Sequence, residues 1–334
     1  MKILTLCNLP FSLAHGGQAI QIQQTAAALE QAGVTVEPMR WWDETQTGDI
    51  IHYFGRMPAD QIRFAHQKGM RVVMAELLTA QGSRTPRQLR VQKMISRTIA
   101  RVAPRSFTTA FQWDSYRLAD ASVALTSWEK HLMEYLFGAD PAKVFVVGNG
   151  VEPVFFAAAP AARGPWLVCT ATITPRKRVL ELTEAAVAAK VPVWIIGRAY
   201  AENDPYALKF FQLAKQNPEF IRYEGAITDR VKLAAIYRSA RGFVLLSNME
   251  SLSLSALEAV ACECPVLLSD LPWARSSFDQ GTQFCPVTAD VSVTAKALRQ
   301  FYDTAPQLPC APKPADWAEI AKQFIAVYEK VLRR

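Results

Sequence analysis

Residues 241–270 of this 334-residue chain, RGFVLLSNMESLSLSALEAVACECPVLLSD, restrict the fold more than any other stretch. Residues 243–247 form a short apolar run suited to a buried strand, and 265–269 form another. Between them, 254–262 is a run of good helix formers behind Ser251 and Ser253. The unit reads strand, loop, helix, strand: a βαβ crossover, which belongs in a parallel sheet covered by helices. Such sheets place ligands beyond the carboxyl ends of their strands. Glu250 falls in the loop past the first strand. Glu258 falls one to two turns into the helix, its side chain leaning back toward the helix N-terminus. Both carboxylates can then face one ligand. The free N–H groups of the helix start suit a phosphate, and a carboxylate suits a sugar or ribose diol.

The rest of the chain extends this pattern. Strand 2–7, a loop ending His15-Gly16-Gly17, helix 18–32 and a strand from 34 make a Rossmann-like opening. It lacks G-x-G-x-x-G, which argues against a dinucleotide. Strands follow at 49–55, where His52 is expected to be packed inside the domain, and at 71–75, 120–125 and 143–147. Glu76 stands at a strand's carboxyl end. An Ala- and Pro-rich linker, 153–165, leads to a second βα series. It comprises strand 166–171, the basic turn Arg176-Lys177-Arg178, helix 179–190, strand 192–197, a long loop at 199–210, strand 220–225 and helix 229–239. A helix at 291–303, a Pro-rich loop and an amphipathic helix at 317–332 close the chain.

Length and a half-hydrophobic composition allow two domains with a core each. No apolar run reaches about 18 residues, so no membrane span is expected. The apolar start reads as a first strand rather than a secretion signal. Six scattered cysteines suit reduced thiols of a cytoplasmic protein, and Cys262-x-Cys264 lacks the partners of a metal site. The net charge of +7 favours an anionic partner.

Glu250-x7-Glu258, continued by 259–265 and a strand, resembles the E-x7-E signature of retaining GT-B glycosyltransferases, family 4 in particular. ADASVALTSWEKHL, VFVVGNGVEP and WAEIAKQFIAVYEKVL resemble the end of that family's N-terminal domain and its terminal helix. The resemblance implies an α/β GT-B fold, two Rossmann-like domains facing across a cleft. Residues 1–153, joined by helix 316–334, would be the acceptor domain, and 165–304 the donor domain. The implied activity is transfer of a sugar from a nucleoside-diphosphate sugar to a hydroxyl acceptor with retention. Glu250 would lie beside the donor sugar and Glu258 on the ribose. Lys177 matches the lysine of the family's Gly-Arg-Leu-x-x-x-Lys pattern, which grips the diphosphate. Thr172 replaces its arginine, so Arg176 or Arg178 is expected to supply that charge. Gly16, Gly17, Ser251, Leu252, Ser253, Leu254, Thr172 and Ile227 complete the implied donor site, and His15 and Glu76 the acceptor side. Ser251, Ser253 and Glu263 occupy places where the family has glycines. No Asp-x-Asp occurs, so neither a metal nor any cofactor besides the donor is expected. A nucleotide-sugar epimerase, or a catalytically weakened binding protein of the same fold, are the alternatives.

Residues 84–105 carry Arg84, Arg87, Arg90, Lys93, Arg97, Arg101 and Arg105 and no acidic residue. Arg90, Lys93, Arg97 and Arg101 form one helical stripe, with Val91, Met94, Ile95, Ile99 and Val102 on the other side. Either that apolar face enters the N-terminal core, or the helix lies on an anionic membrane at its cytosolic face and meets a lipid-linked acceptor. A nucleic-acid partner is not expected.

Overall fold

The computed structural model describes all residues except 9–15, 103–113, 158–161, 202 and 334. The chain forms two compact units, Met1–Gly150 with Trp317–Arg334, and Val151–Asp316.

In the first unit, β1 (Lys2–Cys7), α1 (Gly17–Gln31), β2 (Thr35–Pro38), β3 (Ile50–Phe54), α2 (Ala59–Gln67) and β4 (Arg71–Ala75) come first. They are followed by α3 (Thr79–Gly82), α4 (Pro86–Val102), α5 (Ser115–Leu118), β5 (Ala121–Ala124), α6 (Ser127–Phe137) and β6 (Val144–Val146). The sheet is parallel, in the order β2-β1-β3-β4-β5-β6. Its central strands are apolar runs rather than alternating ones because helices cover both faces. All of β3 is buried.

The second unit holds α7 (Pro153–Phe156), β7 (Leu167–Thr170), α8 (Val179–Ala189), β8 (Val193–Ile196), α9 (Pro205–Gln216), β9 (Ile221–Tyr223) and α10 (Arg230–Ser239). Then come β10 (Gly242–Leu245), α11 (Leu254–Ala261), β11 (Val266–Ser269), α12 (Pro272–Arg275), β12 (Thr282–Cys285) and α13 (Val291–Thr304). Its parallel sheet runs β12-β11-β10-β7-β8-β9. The order reverses between β7 and β10, and at such a switch point the loops past two neighbouring strands diverge and leave a crevice. The final helix, α14 (Trp317–Leu332), returns to the first unit. Its apolar stripe, Ile320, Phe324, Val327, Tyr328 and Val331, is buried, and it packs on α1 and β4.

Two local expectations are corrected. The linker expected at 153–165 opens with a helical turn, α7, whose Phe155 is fully buried. The loop expected at 199–210 contains the start of α9. Asp204 caps that helix, accepting from Tyr206 and Ala207 N–H, and Pro205 takes the first turn, where its missing N–H costs nothing.

Candidate functional site

The switch point of the second unit brings together residues 73 positions apart. Past β7 the chain makes a short turn, Pro175–Lys177, and past β10 it reaches Glu250. Lys177 Nζ donates to Glu250 Oε1, and Arg176 Nη1 lies 3.4 Å from the same oxygen. Arg176 also donates to the Met249 carbonyl at 2.8 Å, while Asn248 N donates to the Arg176 carbonyl at 2.8 Å. The two loops are thus fastened through both main chain and side chains. Burial pushes the Glu250 carboxyl up, but Lys177, then Arg176, outweigh it and hold the group below the usual carboxylate range. Two cations against one carboxylate leave an excess positive charge.

Arg178 does not join this cluster. It takes the left-handed conformation, with φ at 53°, which turns its buried side chain toward the Thr288 carbonyl, to which it donates. The expectation that Arg178 could supply the charge missing at Thr172 is corrected, and Arg176 is the cation beside Lys177. Thr172 itself, half-buried, follows β7, and Ile227, half-buried, lies past β9.

Ser253 caps α11, its hydroxyl accepting from Ala256 N–H at 3.4 Å. Ser251 and Leu254 are buried and Leu252 is partly so. Glu258, 4% exposed, forms a second cluster. Its Oε1 accepts from Nη2 of Arg230, at the start of α10, and Arg230 Nε donates to Glu152 at 2.6 Å. The guanidinium lies over the Phe155 ring, 4.7 Å from its centroid. Burial pushes the Glu258 carboxyl up, and despite the pull of Arg230 the net displacement is upward. Sequence reading missed Arg230, which lies 28 residues from Glu258 with nothing in the spacing to mark it.

In the first unit Gly16 caps α1 with φ at 147°, a conformation that favours glycine, and Gly17 begins the helix. His15 lies outside the described residues. Glu76, directly after β4, accepts from Arg56 at 2.7 and 3.0 Å and from the Tyr116 hydroxyl. His52 is enclosed as expected. Its Nδ1 is 2.7 Å from the Tyr328 hydroxyl, and burial pushes it down to about 3.

Among the described residues of α4 only Leu89 belongs to the buried core. Val91, Met94, Ile95 and Val102 are 46%, 63%, 50% and 77% exposed, so the reading in which this apolar face fills the core is corrected. Lys93 reaches back over the Tyr135 ring of α6, 3.5 Å from its centroid, while Arg87, Arg90, Arg97 and Arg101 are exposed. Arg105 lies outside the described residues. Among the described residues no helix is long and apolar enough to cross a membrane.

Residues 152–324 match the sequence model of the family described as Glycosyl transferases group 1. The D-inositol 3-phosphate glycosyltransferase of Kineococcus radiotolerans is 29% identical over 181 residues, 48% of this chain and 41% of that protein. The protein of the same description from Jonesia denitrificans is 30% identical over 177 residues, 45% and 41% of the two chains. The chain thus spans well under half the length of these curated relatives. Among solved structures, the sucrose-phosphate synthase of Thermosynechococcus elongatus superposes with a TM-score of 0.70 at 16% identity, covering 100% of both chains. HepE from Anabaena in complex with UDP gives 0.67 at 14% identity, covering 99% and 100%. At such identities the likeness is one of fold, the GT-B pairing of two Rossmann-like units.

Proposed function

The chain belongs to the group 1 glycosyl transferases, and from that premise we propose that it transfers a glycosyl group from a nucleoside-diphosphate sugar to a hydroxyl acceptor, with retention at the anomeric carbon. The observation that carries this is the cationic pair Lys177–Arg176, fixed by Glu250 at the switch point. As the anomeric C–O bond breaks, the departing diphosphate gains negative charge. Preorganised cations stabilise that charge without reorganising. Lys177 and Arg176 do so in place of a metal, while Glu250 holds them and borders the sugar. Glu258 takes the ribose hydroxyls at the start of α11. The new C–O bond forms on the face the phosphate leaves, and a phosphate oxygen takes the acceptor proton, so no carboxylate acts as nucleophile. The complexes of HepE with UDP and with UDP-glucose support a nucleotide-sugar donor.

The test is incubation with UDP-, GDP- and ADP-sugars in a strong chelator, with nucleoside diphosphate release and product configuration followed by NMR. Released diphosphate and a retained anomer are expected. An epimerised donor, a bound but unturned donor, or activity that returns only with added magnesium or manganese would each overturn the reading.

On the acceptor side, α4 offers an exposed apolar row beside a basic stripe with no acidic residue. That complements an anionic lipid surface, where each basic residue contributes roughly 1 kcal/mol. The acceptor is then a hydroxyl presented at such a membrane. Flotation with anionic vesicles should capture the protein at low salt and release it at high salt or on changing Arg90, Arg97 and Arg101 to Gln. A protein that stays unbound at low salt places the acceptor in solution.

A further inference from the structure

We propose that Arg230 is a positioning residue for the donor: it holds the Glu258 carboxylate where that group receives the ribose hydroxyls, and Glu152 in turn holds Arg230. This rests on the reading of Glu258 as the donor carboxylate. The geometry leaves Arg230 little freedom. Asp229 caps α10, accepting from Val231 N–H at 2.9 Å and Lys232 N–H at 3.1 Å, so the backbone that carries Arg230 is fixed. Phe155 lies under the guanidinium, Glu152 takes one edge at 2.6 Å, and Glu258 takes Nη2. A flat five-donor group is suited to bridging two carboxylates in this way.

Glu258 depends on this partner because it is 4% exposed and water cannot replace a lost counter-charge. Without Arg230, it escapes an unpaired buried charge by taking a proton. A protonated carboxyl has one oxygen committed as a donor and is a poorer acceptor for a diol. Among the described residues the titratable and charged groups facing Glu258 are Arg230, Glu152, Tyr237 and Cys262, and Arg230 is the one cation of these. Glu152 is also the second residue of its unit, one position after Val151, whose N–H is bonded to the Ala315 carbonyl at 3.0 Å. The bridge therefore anchors Glu258 to the point where the chain enters the unit.

Calorimetric titration of UDP, GDP and ADP into the wild-type protein, Arg230→Gln, Arg230→Lys and Glu258→Gln tests this. Near neutral pH Arg230→Gln should bind the preferred nucleotide at least ~10-fold more weakly, and the deficit should shrink as pH is raised and Glu258, shifted upward by burial, loses its proton. Arg230→Lys should recover most of the affinity, and Glu258→Gln should be weak at every pH. Should Arg230→Gln fold poorly, Glu152→Gln serves instead, with a loss of about threefold expected from a loosened Arg230. A residue that merely ties α10 to α11 would alter thermal stability and leave affinity alone. Affinity within twofold of wild type, or a deficit independent of pH, overturns the inference. If Glu258→Gln weakens binding and the Arg230 variants do not, only the role of Arg230 falls. If Glu258→Gln also binds normally, or no nucleotide binds the wild type, the donor-site reading falls with it.

Discussion

Glu76 and Glu250 both lie past the carboxyl end of a parallel strand, and both are paired with arginine, yet their surroundings differ in kind. Around Glu76 there is, among the described residues, one cation, Arg56, enclosed by the Phe137 and Tyr116 rings at 4.3 and 5.0 Å, with the Tyr116 hydroxyl on the carboxylate. Among the described residues the two charges cancel. Around Glu250 two cations converge on one carboxylate oxygen, and the sum is positive. An ion pair by itself does not distinguish a brace from a binding site. The count of charges does.

The largest expected effect follows from that count. Lys177→Ala should lower the rate of diphosphate release by about 10²-fold or more, the scale for losing a preorganised donor to a developing anion. Glu76→Gln should change the same rate by less than about threefold, since a hydrogen bond to Tyr116 survives. Equal rate losses in two well-folded variants would erase the distinction.

Stability should show the reverse pattern. Arg56→Gln leaves Glu76 largely enclosed without its cation, the side chains being 14% and 18% exposed. Allowing for that residual solvent, a loss of about 2–3 kcal/mol is expected, seen as a melting temperature lowered by roughly 5–10 °C. A variant with unchanged melting but abolished transfer would move Arg56 into the catalytic machinery.

The first unit conceals a second group, and pH reveals it. Burial holds His52 at about 3, against 6.5 in the unfolded chain. The folded value is depressed, so its contribution is fully present above pH 6.5 and is lost as pH falls toward 3, because only the unfolded state takes the proton. Stability should therefore fall by up to ~1.4 kcal/mol per pH unit below 6.5, and His52→Gln should flatten that slope. Urea titrations at successive pH values measure it. Parallel slopes in the two proteins would mean that His52 gains its proton while folded.

The parallel architecture was legible because buried strands read as apolar runs with helices between them, and residues 241–270 carry one whole crossover. Glu250, Glu258 and Lys177 were legible as candidates because motif spacing survives in sequence. Other features were not. The left turn at Arg178 is a backbone event that three adjacent cations do not announce. Arg230 meets Glu258 only through packing of α10 on α11. Helical periodicity marked the apolar face of α4, but a period cannot say what covers a face. Glu263 shows a cost of departing from a family pattern. It stands at a place that the resemblance assigns to glycine and takes φ of 58°, a conformation that costs a non-glycine residue about 1 kcal/mol. The helix at Pro205–Gln216 carried a readable signal, Asp204 followed by Pro205, which its loop-like setting obscured.

The smallest effect sharpens the comparison most. Arg176→Gln would give the second cluster the charge count of the first, one cation against one carboxylate, while leaving Lys177 on Glu250. Arg176 is 38% exposed on its side chain, so solvent screens its charge, and its bond to the Met249 carbonyl can be partly replaced by glutamine. The expected loss is therefore modest, about fivefold in donor affinity. Its dependence on salt is more telling. If Arg176 supplies the excess charge that meets the diphosphate, nucleotide affinity should fall less steeply with ionic strength in Arg176→Gln than in wild type. If it only fastens the 248–250 loop, the two salt dependences should run parallel. The pair of measurements thus decides whether the net charge of the cluster, or only the Lys177–Glu250 pair within it, makes the switch point of the second unit an anion site.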